Sequence, residues 1–88
     1  GAIVDGLSTA LKAQITIDKG GVVQNSFSDY EWLRINECPT IEVHILSTEN
    51  DPGGMGEVGY PAVSAAVANA IANATNKRIR KLPIGPKV

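Results

Sequence analysis

Eighty-eight residues suffice for one small domain, and 43% hydrophobic with 19% charged residues at a mean hydropathy of +0.00 exclude a disordered tail. Eight Lys+Arg against nine Asp+Glu give a formal charge of −1, which excludes a bulk electrostatic pull toward nucleic acid or an anionic membrane. A single cysteine excludes an internal disulfide framework and any cysteine-held zinc or iron–sulfur centre within the chain.

Ile3, Leu7, Ala10 and Leu11 recur at helical period and predict a helix over 2–13. Gly6 weakens it by up to about 1 kcal/mol relative to Ala, which is tolerable if something packs close to that turn. Gln14 to Asp18 alternates, Lys19-Gly20-Gly21 follows, and Val22 to Phe27 is β-rich, so a hairpin is expected. Residues 28–39 carry Tyr30, Trp32, Leu33, Ile35 and Cys38 without clean periodicity and read as an irregular, partly buried connection. Thr40 to Leu46 alternates Ile41, Val43 and Ile45 with Glu42 and His44, the pattern of a third strand, and Pro39 is acceptable just ahead of it. Residues 47–60 form a loop. Pro61 then favours a helix start, and Val63, Val67, Ala70, Ile71 and Ala74 mark the second apolar stripe. Asn69, Asn73 and Asn76 mark the other face, with Asn76 placed to act as a left-handed cap. The fold expected is α+β over residues 1–88: a small mixed or antiparallel sheet, hairpin plus third strand, with two helices packed against it. No apolar run approaches the roughly 20 residues of a membrane helix. The start at Gly1 lacks the pattern of a signal peptide, so the chain is expected to be a piece of something longer or to have lost an upstream segment.

The loop holds the most informative residues. Gly53, Gly54, Gly56 and Gly59 fall within seven positions, and each adds entropy to the unfolded chain. Such a loop is expected where the main chain bends sharply or approaches something closely. Gly54-x-Gly56-x-x-Gly59 matches a dinucleotide fingerprint, but the upstream hairpin is not the βαβ unit that fingerprint requires. Glu57 is the one acid among these glycines. In a poorly hydrated pocket it would be suited to general-base work; as an exposed loop residue it would do nothing. His44 without a second ligand reads as solvated or hydrogen-bonded, Cys38 as a half-buried structural thiol, and Tyr30 and Trp32 as packing residues. Lys77, Arg78, Arg80 and Lys81 follow a helix C-terminus, where positive charge complements the helix dipole; phosphate binding is the rival reading.

Four ordered segments carry a resemblance: Gly6-Leu7-Ser8-Thr9-Ala10-Leu11; Asp29-Tyr30 with Arg34-Ile35-Asn36-Glu37-Cys38-Pro39 and Ile41-Glu42-Val43; Pro52-Gly53-Gly54-Met55-Gly56-Glu57; and Ala68-Asn69-Ala70-Ile71 with Thr75-Asn76-Lys77-Arg78-Ile79 and Leu82-Pro83. Together they resemble the C-terminal end of the large, molybdopterin-binding subunit of the xanthine oxidase and aldehyde oxidoreductase family, in the branch of the isoquinoline 1-oxidoreductase beta subunit. The resemblance implies that Glu57 is the active-site base for oxidation of a small aldehyde or N-heterocycle. It implies that Gly54 and Gly56 belong to the loop placing that base beside a molybdenum–molybdopterin cofactor, in plain or cytosine-dinucleotide form. It also implies that electrons leave through an iron–sulfur subunit or domain, and that the rest of the large subunit completes the site. Many relatives carry Pro after the motif glutamate, where this chain has Val58. The resemblance leaves cytoplasm and periplasm both open. The isolated chain is expected to bind no cofactor and to be inactive. The rival expectation is a small non-enzymatic domain that binds an anion at its glycine loop or buries its faces against a protein partner.

Overall fold

Helix α1, Ala2–Leu11, and helix α2, Tyr60–Thr75, pack against each other. The computed structural model describes residues 1–86. Between the helices lie strands β1, Ile17–Asp18, and β2, Gly21–Val22, and a single 3-10 turn at Ile35–Glu37.

The helix contact explains Gly6. A Cβ built there would stand 2.7 Å from both Cβ and Cγ2 of Val63, so the missing side chain is what lets α2 approach. Gly6 and Ala10 are buried on α1, and Val63 and Ala72 on α2. Ala70 and Ala74, expected on the buried stripe, are exposed instead. A helix covered by one neighbour alone buries a strip narrower than its apolar pattern allows. Asn76 ends α2 in the left-handed conformation at φ 60°, as its type and position predict. Pro61 lies in the first turn of α2, where its absent N–H costs nothing.

β1 and β2 are antiparallel, with Ile17 opposite Val22 and Asp18 opposite Gly21. Lys19 and Gly20 make the turn at φ 50° and 78°, the doubly positive geometry that matches strand twist. The hairpin and the two helices make a small α+β arrangement, the class expected from the sequence. Two details differ. Thr40–Leu46 forms no strand among the described residues, and neither helix packs on the hairpin. Alternation supplies β propensity, but a ladder also needs an edge, and strands two residues long offer very little of one. The hairpin residues are exposed throughout, so no apolar sheet face exists for a helix to cover.

Distant segments are tied to α1. The Ser8 hydroxyl accepts from the Leu33 N–H at 2.9 Å. The Ile84 and Gly85 N–H groups donate to the Ala10 and Leu11 carbonyls, each at 2.9 Å, which satisfies acceptors that a helix end leaves free. Phe27 and Trp32 stack tilted at 4.8 Å, and the Arg34 guanidinium lies 5.3 Å from the Trp32 ring centre. The radius of gyration is 15.9 Å, against about 12 Å for a compact chain of this length. Ile35 is 96% exposed, Leu46 84% and Phe27 76%.

Lys12 Nζ donates to Glu37 Oε1 at 2.7 Å, and the Arg34 N–H donates to the same oxygen at 2.9 Å. The Lys12 bond first, and the Arg34 amide second, hold the Glu37 carboxyl below its ordinary value. A lowered folded-state value stabilises the fold above the usual carboxylate range, and that contribution is lost as pH falls through it. The denaturant midpoint is therefore expected to fall on acidification across this window. In Lys12→Met that part of the pH dependence should flatten; an unchanged profile would remove Glu37 from the account.

Candidate functional site

The glycine loop runs exposed from Pro52 and turns into α2. The turn at residues 56–59 is closed by the Tyr60 N–H donating to the Glu57 carbonyl at 3.1 Å, and Gly59 is the N-cap of α2. The Tyr60 hydroxyl is hydrogen-bonded to the Thr9 hydroxyl of α1. Glu57 is thus borne on a turn fastened at one end to α2 and, through Tyr60, to α1. An open hollow of about 690 Å³ lies beside it, lined by Gly1 with its amino group, by Ala2 and Asp5 of α1, and by Gly56, Glu57, Tyr60 and Pro61.

The hollow carries two carboxylates, and no Lys, Arg or His side chain lines it. Glu57, just ahead of α2, gains from the positive end of that helix, as Asp5 does from that of α1. Of the two settings open to Glu57, a poorly hydrated pocket or an exposed loop, the described residues by themselves give the exposed one. Gly54 and Gly56 have φ outside the positive region, and a Cβ at either would meet nothing within 4 Å. Neither backbone strain nor crowding within these residues calls for glycine there, in contrast to Gly6.

The other singled-out residues stay apart. His44 Nε2 lies 3.7 Å from Glu42 Oε2, both side chains in solvent. Cys38 is half-buried with its thiol 3.6 Å from the Pro39 carbonyl. Arg78 donates to Asn69 Oδ1 at 2.9 Å, and the basic run lies beyond the opposite end of α2 from the hollow. Among the described residues no group of three His, Cys, Asp or Glu could hold a metal ion, and no helix is long and apolar enough to cross a membrane. Asp5, Thr9 and Tyr60 join Glu57 without any sequence signal: Thr9 and Tyr60 are 51 positions apart, and only the helix pairing brings them together.

No protein-family model matches the chain. Curated relatives do. The chain is 35% identical, over 98% of its length, to an isoquinoline 1-oxidoreductase subunit beta of Brevundimonas diminuta. It is 36% identical, over 98% of its length, to a membrane-bound aldehyde dehydrogenase (pyrroloquinoline-quinone) of Gluconacetobacter polyoxogenes. It is 37% identical, over 96% of its length, to the aldehyde oxidoreductase molybdenum-binding subunit of Escherichia coli K12. The chain spans 11% of the length of the first two relatives and 13% of the third.

Proposed function

This chain belongs to the family of large, molybdenum-binding oxidoreductase subunits typified by isoquinoline 1-oxidoreductase subunit beta and aldehyde oxidoreductase, and we propose that within such a subunit it presents Glu57 as the active-site base. In this reading the chain is the C-terminal segment of the subunit. The substrate is a small aldehyde or N-heterocycle, and electrons pass on to an iron–sulfur partner.

The observation that carries the proposal is the loop itself. Gly54 and Gly56 have open space where their side chains would be and no conformational need for glycine, and an acid follows directly. Bare backbone beside open space suits close approach by a bulky group from outside these residues. When bound, the molybdenum cofactor, in plain or cytosine-dinucleotide form, supplies two-electron redox chemistry. Among the described residues no group of three His, Cys, Asp or Glu could ligate its metal, so this chain is proposed to border the cofactor and the rest of the subunit to hold it. What this chain contributes is different. Gly54 and Gly56 leave room along the cofactor's edge. The Glu57 carboxylate accepts a proton, for which it must stand within hydrogen-bond reach of the donor. The Thr9–Tyr60 bond holds the turn that carries it. Water is excluded by the remainder of the subunit closing over the hollow.

The Asp5 and Glu57 carboxylates beside the glycine loop favour this reading over an anion-binding module, with the Gly1 amino group opposing them at the same hollow. One relative is named for pyrroloquinoline-quinone, so cofactor identity is a real test. Metal analysis of the complete subunit is expected to give stoichiometric molybdenum; a quinone without molybdenum would overturn the assignment. The isolated 88-residue chain is expected to retain no molybdenum and to support no aldehyde-dependent dye reduction.

Gly54→Ala and Gly56→Ala separate an outside constraint from an inside one. In the isolated chain both are expected to leave the denaturant midpoint unchanged or to raise stability by about 0.4–1 kcal/mol through the unfolded state. In the complete subunit the same changes are expected to lower cofactor occupancy or turnover. Full activity and full molybdenum in both variants would show that nothing approaches this loop.

A further inference from the structure

The stretch Thr40–Leu46 has the residue types of a strand and none of its bonds. Ile41, Val43 and Ile45 alternate with Glu42 and His44, β-branched against polar. No backbone group of residues 40–46 bonds another backbone group among the described residues. Val43 is 63% exposed and Ile45 78%, so beyond the half-buried Ile41 the apolar side of the alternation has no cover. A half-buried strand shows this pattern because one face meets a core and the other meets solvent or a second layer.

We propose that Thr40–Leu46 is a strand of a larger sheet, paired along an open edge supplied by the rest of the large subunit, with Ile41, Val43 and Ile45 turned into that sheet's core. The occupant follows from what is available. The hairpin of this chain has two-residue strands exposed on both sides, so it supplies neither a long edge nor an apolar face. A second copy would bring only another unsupported strand, and a two-stranded ribbon is marginal in water. The relatives are many times longer than this chain, which spans 7–13% of them, so ample polypeptide exists to provide a supported sheet. The inference rests on the chain being part of such a subunit, and not on the role of Glu57.

The pairing also gives the glycine loop a support. Only Ser47 to Asp51 separate Leu46 from the Pro52 that opens the loop. A strand clamped in a sheet would fix one end of the loop as α2 fixes the other.

Amide hydrogen exchange tests this on the complete subunit and on the isolated chain. In the subunit, amides within 41–46 are expected to be protected at least about a hundredfold relative to the isolated chain. Val43→Pro, which removes a ladder N–H, is expected to abolish that protection or prevent recovery of soluble subunit. Val43→Thr keeps both the N–H and the β-branched shape and should retain the protection. Equal exchange in subunit and isolated chain would overturn the proposal. So would protection of these amides in a self-associated isolated chain, which would assign the edge to a second copy. Glu57→Gln in the same subunit should leave the exchange pattern intact whatever it does to turnover, so the strand and the base stand or fall separately.

Discussion

Glu57→Gln in the complete subunit is expected to lower turnover by about 10²–10⁴-fold, the range over which a positioned proton acceptor contributes. Gln preserves size and hydrogen-bonding shape but accepts no proton at neutral pH. The molybdenum content should therefore equal that of the parent, because the described residues provide no ligand set for the metal and Glu57 is proposed only to border it. The loss should fall on kcat and on kcat/KM together, with KM little changed, as for an interaction made only in the transition state. Glu57→Asp retains the carboxylate but draws it back by one methylene, so partial activity is expected. A Gln variant with parental turnover would remove Glu57 from the mechanism. A Gln variant without molybdenum would move it from proton transfer to cofactor retention.

The second large effect is on stability and concerns the helix contact. Gly6→Ala should improve helix propensity by up to about 1 kcal/mol. It also drives a Cβ to 2.7 Å from two atoms of Val63, one of them a Cβ that moves only with its backbone. Overpacking of this kind costs about 1–3 kcal/mol, so the clash wins and the denaturant midpoint should fall. Val63→Ala removes the Cγ2 contact at 2.7 Å and the Cγ1 contact at 3.2 Å but keeps the Cβ contact at 2.7 Å, so it relieves part of the collision. In the double variant the penalty of Gly6→Ala should shrink without vanishing, and a double-mutant cycle reads the coupling directly. Because α1 forms one wall of the hollow beside Glu57, Gly6→Ala should also reduce activity in the complete subunit. Additive effects of the two substitutions would mean that the helices do not meet at this pair.

What the sequence discloses is local. Helix periodicity, the Lys19-Gly20 turn and the left-handed Asn76 are written in neighbouring residues, and all appear where their chemistry places them. Gly6 was legible as a close-approach position, although its neighbour was not. The failures share a physical cause. Thr40–Leu46 has strand propensity without a strand, because a ladder is a property of two segments and only one is here. Ala70 and Ala74 lie on the expected apolar stripe yet stand exposed, because the sheet expected beneath the helices does not contact α2 and α1 alone covers it. Glu57 was recognisable as an acid among glycines, whereas Asp5, Thr9 and Tyr60 became its neighbours only through packing across the chain. The exposure of Glu57 was not legible either, since an acid among glycines suits a pocket and a solvated loop equally.

The bonds from Ile84 and Gly85 to the last carbonyls of α1 have a bearing on synthesis. Ala10 leaves the ribosome 74 residues ahead of Ile84, an interval of roughly 4–15 s at ordinary elongation rates. Until Ile84 emerges the last carbonyls of α1 lack these backbone donors, and until Val63 emerges, 57 residues after Gly6, the helix contact cannot form. Within this segment α1 is thus completed by residues made long after it, so its last backbone bonds form only once residue 85 has been added.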